Sequence, residues 1–387
     1  MDAVLAGHGR TCITPPIGVQ MMGYGARTEG ARGIHDDLFV NAVALRADLE
    51  TVALVAYDLC FFDLVFAAQV KAAVQEATDL DAAHVVLNCS HTHAGPAVGQ
   101  WHRQAADPHY EKAVVSRSVE AVRVALDDAS EARLWAGDAP LDIGCNRRQM
   151  TPDGQVTIGV NPQGPRLPEV TVWRLSRPDR PDVVLFSTPM HGTVLGGDNL
   201  LISSEWMGAA ARCLEAPSPD LRSAFLQGCA ADQNPYRENA TFETVDRHGC
   251  AAAEAVTAAL QDMRPLRAVP IRCLVRQVPL PLTGDESSAC PLPLHVVRVG
   301  EALLIGLGCE PFVEYALFGR RLSPGSHTLV LGYTDGSVGY LPTADAYEAG
   351  GYETVANQYF PVGKPFVPRG EQLVREAMRA AVRDVTL

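Results

Sequence analysis

Apolar runs bounded by Gly, Pro, Asn and Asp recur from end to end of the chain. The clearest are Phe39–Arg46, Thr51–Tyr57, His84–Asn88, Glu169–Leu175, Asp182–Ser187, Ala224–Gln227, Ile271–Val278, Ala302–Leu307 and Thr328–Leu331, all rich in Val, Leu and Ile and suited to pleated, buried strands. Between them the apolar spacing changes to that of a helix over Val65–Thr78, Tyr110–Asp127, Glu205–Leu214, Val245–Met263, Pro311–Leu322 and Glu371–Asp384. In the second of these, Val115, Val119, Val122 and Leu126 share one helical face. Strands interleaved with helices predict an α/β or mixed α+β fold, with mixed sheets flanked by helices. No Pro- or Ser-rich linker, internal repeat or low-complexity tract divides the chain, so residues 1–387 read as one domain. The stretch Asp138–Pro168, with its Gly, Pro and Asn residues, reads as an irregular surface loop placed to line a site.

Bulk properties narrow the partners. Across 387 residues, 47% are hydrophobic and the formal net charge is −13, without a Lys/Arg cluster. That balance argues against nucleic acid or an anionic membrane surface and leaves a small molecule as the expected partner. No segment reaches the ~18 uninterrupted apolar residues of a membrane span, and MDAVLAGHGRTCITPPIG lacks the basic and apolar regions of an export signal. A cytoplasmic protein without stable membrane insertion is expected. The ten cysteines are scattered singly, without a CxxC pair, and read mostly as buried thiols.

Candidate chemistry sits where apolar runs stop. In AHVVLNCSHTHAGP, the strand ends at His91-Thr92-His93 before a Gly-Pro turn; in extended backbone, residues two apart leave the same face. An HxH pair alone is a weak signal, but open α/β sheets bind ligands beyond the carboxyl ends of their strands. A second case is VVLFSTPMHG, where His191 follows the run Val183–Phe186, and a third is ALLIGLGCEP, where Glu310-Pro311 reads as the opening of a helix. Each has a bland alternative, as a satisfied polar residue at a strand end or a helix N-terminal charge. Two imidazoles and a carboxylate suit zinc in a catalytic site. Zinc would lower the pKa of water from 15.7 to roughly 7 and polarise a carbonyl, chemistry for amide or ester hydrolysis. There is no GxSxG elbow, Walker loop, HExxH or GxGxxG strand–helix junction. Gly23-Tyr24-Gly25 reads as a turn bordering the pocket.

Several segments in order resemble the neutral ceramidase family, zinc amidases of the N-acyl bond of ceramide. They are GHGRTCITPPIGVQMMGYG, GIHDDLFVNAVAL, LNCSHTHAGP, CNRRQ, MHGTVLGGDNLLISSEWMG, FLQGCAADQNP, CEPFVEYALFGRRL and GYLPTADAYEAGGYE. The resemblance implies that fold and a zinc ion on His91, His191, Glu310 and Tyr340. The residues alone do not choose Tyr340 over Tyr333 or Tyr347. It makes His93 a proton carrier or an orienting neighbour, Arg147 a pocket arginine for the substrate head or oxyanion, and Tyr352 a hydrogen-bond donor. Where the family has a serine long considered catalytic, this chain has Asn234, which is no acyl-accepting nucleophile but can polarise a carbonyl. Because one helical pattern follows the matched tyrosines, the family's C-terminal β-sandwich domain is not expected here.

The function expected is therefore zinc-dependent hydrolysis of a linear C–N amide in a small or acyl-bearing molecule, with the substrate away from ceramide itself. Ester or lactone hydrolysis, or amide formation in secondary metabolism, are alternatives on the same site, and a non-catalytic ligand-binding descendant is a third. A TIM-barrel amidohydrolase also carries HxH at a strand end, but its further strand-end histidines and aspartate are not evident here.

Overall fold

The computed structural model describes residues 4–101, 104–323, 325 and 327–387. Its centre is a nine-stranded mixed sheet in which eight strands form one path. At one end, Val4–Cys12, Phe39–Ala47 and Glu50–Tyr57 form an antiparallel meander, to which Val85–Cys89 adds in parallel. At the other, Ser130–Pro140, Glu169–Ser176 and Asp182–Thr188 run antiparallel, and Leu221–Gln227 pairs in parallel with the last of them.

Strand alternation sorts the two faces. Val43, Leu45, Val52 and Leu54 join Trp173, Leu175, Val183, Leu185, Ala224 and Leu226 in one buried cluster. Their neighbours Ala42, Ala44, Ala53 and Val55 turn instead to the cluster that holds the helices. Helix α1 (Leu64–Thr78) contributes Val70 and Val74 there, and α2 (Pro108–Asp127) contributes Val114, Ala121, Val122 and Ala125. Each buried Val is worth about 1.5–3 kcal/mol over leaving it in water. Asp63 and Asp107 cap these helices by accepting N–H bonds from Phe66 and from His109 and Tyr110. Helices α3 (Glu205–Glu215) and α4 (Phe242–Gln261) lie together beside the second half of the sheet.

The C-terminal part is a four-stranded sheet built on the long hairpin Ile271–Leu282 and Asp285–Val299, continued by Ala302–Leu307 and Leu329–Leu331. Helices α5 (Val313–Leu322) and α7 (Gly370–Thr386) cover it, and α6 (Ala344–Ala349) lies between them in sequence. Asn88 ties the halves together: its Oδ1 accepts Gln227 N at 2.7 Å and its Nδ2 donates to Gly332 O at 2.8 Å. Among the described residues, no helix is long and apolar enough to cross a membrane.

Mixed sheets flanked by helices match the sequence expectation, and each of the runs and helices named above is found within a few residues of its expected limits. Three expectations need correction. The span Asp138–Pro168 is not irregular: after the end of Ser130–Pro140 it contains the strands Gly144–Met150 and Val156–Asn161, whose Gly, Asn and Arg residues hid the alternation. Glu310-Pro311 does not open a helix but forms a short strand paired with Tyr340–Leu341, and α5 begins at Val313. Cys213 and Cys250 are not thiols but a disulfide joining α3 to α4; spacing in sequence gives no sign of a contact made by helix packing.

Candidate active site

Six chain segments converge, two of them just beyond strand ends and four within short strands. His91 lies two residues past Val85–Cys89 with φ +63°, a left-handed conformation that costs about 1–3 kcal/mol for a residue with a Cβ. Its N–H to Leu59 O at 2.9 Å and a parallel bridge from Thr92 to Gly192 hold the turn. Gly192 is needed for that approach, because a Cβ there would sit 2.7 Å from His91 O and 2.6 Å from Met207 Cε. His191 precedes it, past Asp182–Thr188, with its N–H on Gln233 O at 3.2 Å. Glu310 stands opposite Tyr340 in the register of their short parallel pair. Arg147 comes from Gly144–Met150, which pairs with Gln233–Pro235 and so brings Asn234 alongside.

The tautomers follow from the hydrogen bonds. His91 Nδ1 donates to Cys60 O at 2.8 Å, and His191 Nδ1 to Ala230 O at 2.6 Å, so each imidazole keeps its Nε2 lone pair for the centre. Those atoms lie 3.4 and 3.9 Å from Glu310 Oε2. All three side chains are at most 2% exposed. Each Nε2 also meets a neighbouring nitrogen, His91 with His93 Nε2 at 3.1 Å and His191 with Arg147 Nη1 at 3.2 Å, so ligand atoms crowd one dry centre. Ligand atoms about 2.0–2.2 Å from a tetrahedral ion sit ~3.3–3.6 Å apart, close to the separations seen, so the donor set fits zinc in chemistry and size. A second grouping, Cys60 with His91 and His93, fits less well. Burial holds the Cys60 thiol well above its ordinary pKa, and His91 Nδ1 is already committed.

Around the donors, Arg147 links several groups. Its Nε donates to Glu353 Oε1 at 2.7 Å, Nη2 lies 3.4 Å from Tyr340 Oη, and Nη1 lies 3.2 Å from His191 Nε2 and 3.5 Å from Asn234 Oδ1. Burial opposes charge on both partners, but Arg147 and Glu353 stabilise each other, so the carboxyl is held below its ordinary pKa and the guanidinium above. His191 is pushed well below its ordinary pKa by burial and by the charge of Arg147. A bound cation and Arg147 therefore compete for one neutral lone pair. Burial, followed by the Glu310 charge, raises the phenols of Tyr340 and Tyr333 well above their ordinary range, so without a cation both remain protonated.

His93 is close to the centre yet differently disposed: its Nε2 lies 3.1 Å from His91 Nε2, while its buried Nδ1 has no partner. Gly23, at φ +102°, makes room for it, since a Cβ would meet the ring at 2.4 Å. A cavity of about 280 Å³ opens on this side, lined by the Gly23-Tyr24-Gly25 turn, His93, Arg147, Asn234, Tyr340 and Tyr352, among others. Tyr352 stands at its edge, 39% exposed, with its ring 5.5 Å from that of Tyr340.

All eight residues singled out in the sequence thus meet in one region, and the Gly23-Tyr24-Gly25 turn does border the cavity. Two neighbours, Glu353 and Arg237, were missed, and Tyr333, left open beside Tyr340, joins them at the site. Tyr333 stacks on His91 at 4.1 Å and donates to Glu310 Oε2 at 3.3 Å; Glu353 anchors Arg147; Arg237 lines the cavity. Glu353 adjoins Tyr352 in GGYE, and Arg237 follows the Asn234 segment by three residues, so proximity to a chosen motif was the available signal. Tyr347, the third tyrosine left open, lies on α6 outside the cavity lining.

The profile of the family "Neutral/alkaline non-lysosomal ceramidase, N-terminal" matches residues 4–262. The chain belongs to that family. Membership makes it a hydrolase of the amide-cleaving kind. No curated protein sequence matches it. Among solved structures, a ceramidase complexed with C2 superposes with a TM-score of 0.82 at 16% identity, covering 99% of this chain and 76% of the other. The neutral ceramidase from Pseudomonas aeruginosa gives 0.82 at 17% identity, covering 100% and 75%. These similarities establish the shared fold of this ceramidase-family chain.

Proposed function

We propose that the chain is a zinc-dependent hydrolase of a linear C–N amide bond in a small or acyl-bearing molecule, acting as a single domain. The observation that carries the reading is the convergence of His91 Nε2, His191 Nε2 and Glu310 Oε2, with Arg147 Nη1 at the edge of the group, 3.2 Å from His191 Nε2. These three, with Tyr340 beside Glu310, are the residues that would hold the ion. Bound there, zinc would supply Lewis acidity toward a carbonyl and a water acidic enough to ionise near neutral pH.

The remaining roles fall to the chain's own groups. His93 presents an unpartnered Nδ1, which can accept a proton and return it to the departing amine. Arg147, held by Glu353, directs Nη1 and Nη2 to the side where a carbonyl oxygen gains negative charge. Tyr352 keeps its proton, its pKa raised to about 12 by burial and by Glu310, and donates from the cavity edge. Asn234 orients the carbonyl and, lacking a nucleophilic oxygen, forms no acyl intermediate.

The test is elemental analysis of the purified protein together with turnover of an N-acyl amide panel, with and without chelator. The reading predicts about one zinc per chain, chelator-sensitive release of free amine, and in His191→Ala loss of the metal with at least a ~1,000-fold fall in turnover. Metal and activity retained in that variant would contradict it, and silence across the panel, indifferent to chelator, would favour a binding protein. Cleavage of esters or lactones alone, or net amide synthesis, would move the assignment to those reactions on the same site.

A further inference from the structure

The cavity beside the donor cluster has a charge pattern that amide cleavage does not require. Among the described residues, two guanidinium groups, Arg147 and Arg237, line it, and no carboxylate does. The first is matched by Glu353 at 2.7 Å. Arg237 is not matched among the described residues: its buried Nε has no hydrogen-bond partner there, and its Nη2 makes a long contact, 3.5 Å, to Tyr24 Oη. That phenol already spends its own proton on Leu195 O. The buried carboxylate that senses Arg237, Glu205, is itself occupied by the N–H groups of Leu195 at 2.7 Å and Trp206 at 3.2 Å. Thr193, 2% exposed and also lining the cavity, keeps an Oγ1 without a partner.

In a chain with 45 acidic and 32 basic residues, an unmatched guanidinium in a ligand cavity is a conspicuous choice. A desolvated donor without a partner is costly, and a planar fork of N–H groups is the preferred receptor for a carboxylate. At about 280 Å³ the cavity is just below the usual ~300–1,000 Å³ of ligand pockets, a size for a compact head group. Arg237 lines the same cavity as His93, the residue assigned to the departing amine, so an anion held by Arg237 would share that space with the amine side.

Resting on the amidase reading above, we infer that the substrate is an N-acyl amino acid, its carboxylate held by Arg237 and Thr193 on the amine side of the scissile bond. Hydrolysis then breaks the acyl C–N bond, forms a C–O bond to the oxygen of water, and transfers a proton to the amine, releasing a carboxylate and a free amino acid.

The experiment compares N-octanoylglycine with N-octanoylethanolamine, which replaces the carboxylate by a neutral hydroxyl, on the zinc-loaded full chain and its Arg237→Gln and Arg237→Lys variants. Binding of the uncleavable N-(octylsulfonyl)glycine and N-(octylsulfonyl)ethanolamine is measured alongside by calorimetry, and zinc content checks each variant's fold. The expected kcat/KM ratio favours the glycine conjugate by about 100-fold or more, falls to within about 3-fold in R237Q, and recovers in part in R237K. Equal use of both substrates, or a preference that R237Q leaves intact, would overturn the inference while leaving the amidase reading standing. If neither is cleaved but the sulfonylglycine still binds more tightly and loses that advantage in R237Q, the anion site holds and the amidase reading falls.

Discussion

At Asp335 a buried carboxylate is surrounded by donors: Lys71 Nζ and His295 Nδ1 each lie 2.7 Å from Oδ2, and Leu87 N lies 2.9 Å from Oδ1. At Glu310, equally buried, two imidazoles come near with their lone pairs, and the donor recorded on Oε2 is the phenol of Tyr333. Both clusters set a buried carboxylate against histidine, but a lysine joins the first and a second histidine the other. His295 uses Nδ1 on Asp335 and has Cys273 Sγ 3.0 Å from Nε2, so that cluster closes among protein groups. His91 and His191 spend Nδ1 on backbone carbonyls and turn Nε2 to the centre, where His93 Nε2 and Arg147 Nη1 also come within 3.2 Å of them. What separates the two clusters is therefore which ring nitrogen the fold has already used.

Substitution of the two carboxylates gives the largest contrast. Glu310→Gln should lose the metal and at least ~1,000-fold in turnover with its metal-free stability little changed. Asp335→Asn should keep the metal but cost about 3–5 kcal/mol, because Lys71 and His295 lose the charge that they face; elemental analysis and denaturant midpoints separate the two. The closed cluster should also show in acid. Burial raises the Asp335 pKa, but His295 and Lys71 outweigh it and bring it from 3.8 to about 2. A pKa depressed on folding stabilises the native state above the unfolded value, and this stabilisation is lost as pH falls. About 2–3 kcal/mol should therefore disappear between roughly pH 5 and pH 2, and the loss over the same window should be smaller by about that amount in D335N.

Smaller effects sharpen the open cluster. Gly23→Ala would force the His93 ring aside, and about a 10–100-fold fall in kcat/KM with normal zinc content is expected from loss of the proton carrier. Tyr333→Phe removes one hydrogen bond to Glu310, worth about 1 kcal/mol, and should weaken metal retention by less than about tenfold. A larger loss there than in Tyr340→Phe would reassign the phenol beside the ion.

Much of this was legible in the chain because the sheet strands are apolar on both faces and end at their functional residues. Ser90-His91-Thr92-His93 and Pro189-Met190-His191 each follow such a run. Strands carrying the site itself were harder to see: Gly144–Met150 reads GCNRRQM, where the polar residues serve Glu353, Asn234 and His191 and erase the alternation. The strand Val4–Cys12 escaped for a related reason, since His8 and Arg10 interrupt its apolar pattern. Tyr333 and Tyr340 could not be ranked because their placement depends on a left-handed residue at 333 and on the pairing of Glu310 with Tyr340, both tertiary in origin. The Cys213–Cys250 disulfide likewise depends on how α3 meets α4.

Anomalous scattering at the zinc edge, from crystals of an as-isolated preparation of known activity, addresses the central claim most directly. A single peak is predicted about 2.0–2.2 Å from His91 Nε2, His191 Nε2 and the Glu310 carboxylate, with none beside His295 and Asp335. A fully active preparation without metal at that position, or with its ion seated on the Cys273–His295 pair instead, would contradict the account.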